Sequence, residues 1–299
     1  MTLSTLKAYL DLTRLHFFFV WPLLFCSGLF LSFARYGGFS WFLVLRAALI
    51  ALLGFEAGFV LNDYVDREVD KKDVEHDKLT KYWRPFGQRP IISGDISPSR
   101  AIILFFVLVG ATSALIFTLP FPNSAYVFVI MVYSYLMERF YQVKKRDQRH
   151  PIAQLLGRTD FSLFPVAGYL CNGRPDVTAL LYFLYFYPFA QAHLGANDII
   201  DVANDEAREM NTIPVLYGLK GTKYWILFFT LLHFLGALFF MQVVGSITSY
   251  GMFISLLLLL LANIIILRRD SSVAWLRVLP LFHVAMLVSI IAMIVDYFI

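Results

Sequence analysis

Charge is what this sequence has least of. Only 15% of its 299 residues are Asp, Glu, Lys or Arg, against 59% hydrophobic, and the mean hydropathy is +0.67. A soluble globular domain carries about 25% charged residues, so the composition excludes one and points to an integral membrane protein. Cysteine is nearly absent as well: Cys26 and Cys171 stand far apart, match no metal or redox spacing, and read as small apolar fillers. The six histidines are scattered singly with no His-x-x-x-His pair, so nothing suggests zinc or haem. No Ser, Cys or Lys nucleophile stands with an evident base, and a covalent enzyme intermediate is not expected. The net charge of +4 mostly reflects Lys and Arg bunched between apolar runs; neither nucleic acid nor a protein partner is implied.

What is abundant is apolar sequence in membrane-length pieces. A bilayer needs about 20 apolar residues per helix, and such runs fall near 17–34, 41–61, 101–119, 124–141, 152–170, 177–196, 223–244, 247–267 and 276–298. Residues 1–15 are an amphipathic lead-in. The first run lacks a short apolar core followed by a small-residue cleavage site, so it reads as a retained helix rather than a signal peptide. Basic residues alternate with these runs. One side collects Lys7 and Arg14, then Arg67, Lys71, Lys72, Lys78, Lys81, Arg84 and Arg89, then Lys144, Lys145, Arg146 and Arg149, then Arg208, Lys220 and Lys223, then Arg268, Arg269 and Arg277; the other holds Arg35 and Arg174. By the positive-inside rule the N-terminus is cytoplasmic and the C-terminus is not. The expectation is an all-α polytopic membrane protein with nine transmembrane helices in a single domain over 1–299, with cytoplasmic cap loops at about 62–100, 142–151 and 197–222.

One pattern occurs twice. Asn62-Asp63-Tyr64-Val65-Asp66-Arg67-Glu68-Val69-Asp70 and Asn197-Asp198-Ile199-Ile200-Asp201-Val202-Ala203-Asn204-Asp205 are both Asn-Asp-x-x-Asp-x-x-x-Asp, each at the cytoplasmic end of an apolar run. Offsets of three and four place side chains on one helix face, so Asp63, Asp66 and Asp70 form one acidic stripe and Asp198, Asp201 and Asp205 another. Carboxylates so close repel one another unless cations neutralise them, and hard oxygen ligands suit Mg²⁺ with substrate phosphates. Two facing stripes would clamp a Mg²⁺-bound diphosphate. The motifs close spans two and six, which suggests two similar four-helix halves plus one helix around a central cavity, as a parallel repeat. In the return from the first motif, Ser97-Pro98 supplies an N-cap and a Pro at N1 for span three.

These residues, with Arg89-Pro90…Ser93-Gly94 and Asn211-Thr212-Ile213-Pro214-Val215-Leu216-Tyr217-Gly218, resemble the UbiA superfamily of intramembrane prenyltransferases across essentially the whole chain. The resemblance implies an all-helical enzyme that needs Mg²⁺ and transfers an isoprenyl group from its diphosphate to an acceptor. By it, Asn62, Asp63, Asp66, Asp70, Asp198, Asp201 and Asp205 would hold the metal-diphosphate, with Asp63, Asp66, Asp198, Asp201 and Tyr135 as the catalytic set. Arg14 resembles the family's first-helix arginine, and Tyr135 and Arg139 a tyrosine and basic residue at the end of span four; Glu138 beside Arg139 departs from the family pattern. Arg14, Asn62, Arg67, Arg139, Lys145 and Asn197 are the candidates for binding the diphosphate.

The chemistry fits the residues. Cations at the leaving oxygens would stabilise the charge that develops as an allylic diphosphate ionises, and aromatic faces such as Tyr133, Tyr135, Phe59 or Tyr187 would stabilise the allylic cation. The acceptor is either aromatic, of the quinone-precursor type, or a lipid, met within the membrane. Polar residues in or near the spans, namely Arg46, Glu56, Arg158, Asp160, Gln191 and His193, are costly there and are functional candidates by default; Arg158 and Asp160 fit a structural ion pair equally well. The rival function is a secondary transporter or cation pathway using the carboxylates, which expects charges near the bilayer midplane and broken helices; here the acids sit at one interface. The topology has a direct check: a cysteine label placed in 71–82 or 144–149 is expected to react only from the cytoplasmic face, and labelling from outside intact cells overturns this topology.

Overall fold

A computed structural model describes residues 3–299; Met1 and Thr2 of the amphipathic lead-in lie outside the described residues. The lead-in forms α1 (Leu3–Leu12), and a 3-10 turn (Leu15–Phe17) joins it to α2 (Val20–Tyr36). There follow α3 (Trp41–Asp66), a 3-10 turn (Asp70–Lys72), α4 (Leu79–Trp83), α5 (Pro98–Phe117), α6 (Asn123–Lys144), α7 (Ile152–Gly157), α8 (Thr159–Leu170), α9 (Val177–Ala207), α10 (Ile213–Phe240), α11 (Ser246–Arg268), α12 (Ser272–Leu276) and α13 (Leu279–Asp296). No strand occurs among the described residues.

Short polar side chains start the helices. Ser40 Oγ accepts from the Leu43 amide at 3.4 Å, Ser97 Oγ from Arg100 at 3.4 Å with Pro98 behind it, and Asp176 from Ala179 at 3.0 Å. Asp176 also receives the Tyr169 hydroxyl at 2.9 Å and the Arg35 Nε at 3.0 Å, which ties the ends of α2, α8 and α9 together. Gly218 takes φ 67 inside α10, so the Ile213–Tyr217 turn is set off at an angle from the long apolar part of that helix.

Six helical stretches are long and apolar enough to cross a membrane: Leu15–Tyr36, Trp41–Asp66, Pro98–Phe117, Ile213–Phe240, Ser246–Arg268 and Ser272–Asp296. The expected count of nine rests on three further stretches, and the reasons they fall short are physical. The helix α6 mixes its apolar residues with tyrosines, Glu138 and Arg139, the run at 152–170 is broken at Arg158 into α7 and the 12-residue α8, and the apolar part of α9 is diluted by Tyr182, Tyr185, Tyr187, Pro188, Gln191 and His193.

The helices pack as neighbours in a ring: α2 with α3, α8 and α13, α3 with α5 and α6, α6 with α8, α8 with α9, α9 with α10, and α11 with α13. The outer faces are greasy. In α5 the buried residues are Ala101, Phe105, Thr112 and Ile116, a single stripe, while Ile103, Phe106 and Val107 are exposed, which suits contact with acyl chains. Buried hydroxyls and amides join helices across the core: Ser27 with Tyr182 at 2.6 Å, Tyr185 with Ser289 at 3.1 Å, and Asn263 with Thr230 at 2.9 Å.

The helices α2 and α8 approach each other closely. A Cβ on Gly28 would lie 2.0 Å from the Pro165 carbonyl oxygen, and one on Gly168 would lie 1.8 Å from that of Phe25. Both helices therefore touch backbone to backbone, and neither glycine has room for a side chain. Gly168→Val is expected to cost about 1–3 kcal/mol through overpacking, read as a lowered thermal midpoint in detergent, whereas Gly110→Val, where a Cβ meets nothing within 4 Å, should leave the midpoint near the parent value.

Candidate functional site

The first motif ends α3. The helix stops at Asp66, and Asp70 opens the following 3-10 turn, so the expected single helical stripe is in fact a helix end continued by a turn. Arg67 and Val69 keep right-handed helical angles, which carries Asp70 round to the same side. The second motif lies wholly within α9. The loops between them interlock. Asn204 accepts from the Val74 and Glu75 amides at 3.0 and 2.8 Å and donates to the Glu75 carbonyl at 2.9 Å, while Asp11 of α1 accepts from the Phe86 and Gln88 amides at 2.7 and 2.9 Å.

Every carboxylate of the first motif is met by two basic side chains. Arg14 approaches Asp63 at 3.0 Å and Arg84 at 2.8 Å. Lys145 and Arg146 approach Asp66 at 2.9 and 2.8 Å. Arg89 and Arg208 hold Asp70, and the same two hold Asp73. Arg208 reaches across to the second motif, at 3.4 Å from Asp201 and 3.8 Å from Asp205, and Thr212 donates to Asp205 at 2.7 Å. Burial disfavours the charged form of Arg208, yet Asp70, Asp201, Asp73 and Asp205 together hold its guanidinium protonated well above its ordinary value. Burial pulls Arg14 the other way, down to about 10, against the attraction of Asp63. Arg14 has φ 50, a left-handed backbone that is uncommon for a side-chain-bearing residue and turns the chain between α1 and the 3-10 turn.

These groups line a polar cavity enclosing about 770 Å³ of empty space, with Asp66, Asp70, Asp198, Asp201 and Asp205 on its wall. Six basic side chains (Arg14, Arg84, Arg89, Lys145, Arg158 and Arg208) face those five carboxylates. Beside it lies a second cavity of about 940 Å³, walled by apolar residues of α2, α3, α5, α6 and α8 such as Phe25, Ile50, Phe55, Ile116 and Val127. Arg14, Asn62 and Arg158 line both, so they form the neck between a charged chamber and a greasy one.

The sequence-derived candidates divide accordingly. Asn62, Asp66, Asp70, Asn197, Asp198, Asp201, Asp205, Arg14 and Lys145 meet at the polar cavity, with Asp63 behind Arg14 and Arg84. Tyr135 lines the apolar cavity and donates to the Gly54 carbonyl at 2.9 Å. Two candidates are not brought in. Arg139 is exposed, because its neighbour Glu138 occupies the inward face of α6 and accepts from Asn62 at 2.9 Å. Arg67 donates to the Tyr64 carbonyl at 2.6 Å, lies over the Tyr64 ring and pairs with Glu68. Arg158, a candidate as a polar residue inside an apolar run, lines both cavities. Arg84, Arg89 and Arg208 escaped the sequence reading as site residues; their signal was membership of the basic loops, which does not say which charges turn inward.

The polar wall suits a hard divalent cation. Its donors are oxygens, with no imidazole or thiol among them, and Asp198 Oδ2 is buried with no partner. Asp66, Asp70, Asp198, Asp201 and Asp205 are the side chains that would hold one; among the described residues no three acids or histidines already converge on one point.

Taken together, the fold and the paired chambers define a multi-pass helical membrane protein with a charged compartment opening into an apolar one. The profile of the UbiA prenyltransferase family matches residues 19–288, and the chain belongs to that family of intramembrane prenyltransferases. It is 26% identical over 248 residues to Protoheme IX farnesyltransferase 2 of Chromobacterium violaceum, covering 82% of this chain and 76% of that one. It is 27% identical over 259 residues to the digeranylgeranylglyceryl phosphate synthase of Methanothermobacter thermautotrophicus, covering 84% of each. The apo structure of a UbiA homologue from Aeropyrum pernix K1 shares the fold with a TM-score of 0.72 at 18% identity, over 94% of this chain and 96% of that one. A UbiA homologue from Archaeoglobus fulgidus bound to DMAPP and Mg²⁺ does so with a TM-score of 0.69 at 15% identity, over 94% and 98%.

The charge balance carries a prediction. Since all the lining carboxylates except Asp198 already have basic partners, a divalent cation arriving alone gains little, while a diphosphate supplies the missing negative charge. Mg²⁺ alone should shift the thermal midpoint by less than about 1 °C, and Mg²⁺ with inorganic pyrophosphate by about 3 °C or more. An equal shift with Mg²⁺ alone overturns the balance argument.

Proposed function

We propose that this protein transfers an isoprenyl group from a prenyl diphosphate to an aromatic or lipid acceptor within the membrane, with Mg²⁺ as cofactor. The observation that carries the reading is the neck: a chamber lined by six basic side chains and five carboxylates opens through Arg14, Asn62 and Arg158 into an apolar chamber. An allylic diphosphate has that same division, a polyanionic head on a hydrocarbon tail. The Archaeoglobus fulgidus homologue, solved with DMAPP and Mg²⁺, supports the assignment of head and metal to this end. In this reading the nine helical stretches span the bilayer and the site faces the cytoplasm.

The bound cation supplies Lewis-acid stabilisation of the leaving diphosphate. Asp66, Asp70, Asp198, Asp201 and Asp205 are the side chains that would hold it. Arg14, Arg84, Arg89, Lys145 and Arg208, which line the same chamber, would offer the diphosphate oxygens charge-assisted hydrogen bonds, for which guanidinium groups are suited. Phe55, Phe59 and Phe161, which crowd the apolar side of the neck, exclude water from the allylic carbon and offer it ring faces. A transporter reading is less well supported, because all the lining carboxylates but Asp198 are paired with basic side chains.

Asp66→Asn and Asp201→Asn each remove a charge at nearly constant volume. Each is expected to lower turnover of geranyl diphosphate by about 10²-fold or more while leaving the protein folded, and chelation should abolish turnover of the parent. Parent-like activity in either variant, or metal-independent turnover, overturns the proposal.

A further inference from the structure

The apolar chamber has a definite depth. Asn62, Gly58, Gly54 and Ile50 of α3 all stand on its wall, because residues four apart share a helix face. At about 1.5 Å of rise per residue, this stripe runs about 6 Å from Asn62 to Gly58, about 12 Å to Gly54 and about 18 Å to Ile50. The wall on α6 gives a similar depth. Glu138 accepts from Asn62 at the neck, and Val127 lines the far end, about 16 Å away along the helix.

The far end is blind. Ile50, Ile116 and Val127 close it as buried members of the main apolar core, which continues past them in Ala47 and Leu119. The sides are closed too, since α2, α3, α6 and α8 pack in succession around the chamber, and each seam has its contact. Trp21 stacks on Phe55 at 3.8 Å between α2 and α3. The Tyr135 hydroxyl donates to the Gly54 carbonyl at 2.9 Å between α6 and α3, where Thr112 of α5 also reaches the wall. The Tyr133 and Thr159 hydroxyls meet at 2.7 Å between α6 and α8, and Gly28 and Gly168 bring α2 and α8 into backbone contact. The chamber thus opens at the neck and ends at a packed floor.

A prenyl chain lengthens in fixed steps. Each isoprene unit adds four main-chain carbons, about 5 Å when extended at ordinary carbon–carbon bond lengths. With the diphosphate in the polar chamber, the allylic carbon lies at the neck. Two units then reach about 10 Å below it, three about 15 Å and four about 20 Å. Three units end short of Ile50 and Val127, whereas a fourth runs into them, and a close-packed core does not yield to an added group without strain.

We propose that the donor carries at most three isoprene units, with Ile50, Ile116 and Val127 as the floor that sets the limit. Gly58 and Gly54 are the bare wall that leaves the tail its room. A Cβ on Gly58 would meet nothing within 4 Å, so a larger side chain there projects into the chamber. The inference rests on the prenyl-transfer reading, and the experiment separates the two.

The protein in lipid nanodiscs with Mg²⁺ is titrated with labelled inorganic pyrophosphate, which reads the polar chamber alone and reports that each variant is folded. Dimethylallyl, geranyl, farnesyl and geranylgeranyl thiolodiphosphates, which ionise poorly, then compete with it. In the parent, farnesyl is expected to compete best and geranylgeranyl about tenfold more weakly or worse. Gly58→Leu obstructs the chamber one turn below the neck and should weaken geranyl and farnesyl by about tenfold or more relative to dimethylallyl. Ile116→Ala lowers the floor and should narrow the gap between farnesyl and geranylgeranyl by about threefold or more. Gly110→Leu, on the exposed face of α5, should keep the parent's order. Partition into the bilayer is common to parent and variants, so these ratios read the site. If Gly58→Leu does not bind pyrophosphate, the parent and Ile116→Ala decide. No pyrophosphate binding by the parent, or no competition at any chain length, overturns prenyl transfer itself. Geranylgeranyl competing as well as farnesyl in the parent, unchanged ratios in a folded Gly58→Leu or Ile116→Ala, or the same changes in Gly110→Leu overturn the length limit and leave the transferase reading standing.

Discussion

The arrangement depends on one electrostatic constraint: carboxylates from two distant motifs are buried together, and buried like charges persist only where cations face them. Arg208 does most to meet it. Its guanidinium touches Asp70 and Asp73 on one side and Asp201 and Asp205 on the other, so one side chain joins the ends of α3 and α9 across the cavity. Arg89 repeats half of that bridge. Because both arginines lie outside the apolar parts of the spans, pairing with the acids also fixes the path of the cap over the bundle. The hydrogen bonds of Asn204 to the Val74–Glu75 backbone complete that closure.

Much of this was legible in the sequence. Runs of membrane length lie where the long helices are, because apolar side chains over about 20 residues leave a helix no alternative partner but lipid or another helix. The repeated Asn-Asp-x-x-Asp-x-x-x-Asp marks both acidic walls for the same reason: offsets of three and four share a face. What was not legible turns on single residues. Glu138 and Arg139 are adjacent, and one step around a helix is about 100°, so only packing decides which points inward. The break at Arg158 is hidden inside a run that reads as continuous. The pairing of Arg208 with Asp70 joins residues far apart in the chain, and no local pattern announces it.

The neck is where fold becomes function. Its three residues come from different places: Arg14 from a left-handed turn before the first long helix, Asn62 from the end of α3, and Arg158 from the break between α7 and α8. None sits in the middle of a regular apolar helix. Charged groups at such interruptions reach a chamber boundary without a full helical turn of polar residues being buried in the bilayer, which is a sparing way to place cations at the edge of a hydrocarbon cavity.

The contact of α2 with α8 bears on how the protein can change over generations. Gly28 lies against Pro165 and Gly168 against Phe25, so each helix leaves an empty place for the other's backbone. Any point substitution at either glycine introduces at least a methyl group into occupied space, and no single compensating change elsewhere can remove a carbonyl oxygen. The pair is thus locked against drift, whereas the side chains of Ile50, Ile116 or Val127 on the opposite wall can trade volume among themselves. Substitution is thereby easier in the part of the cavity that sets its internal shape than at the seam that holds the two helices together.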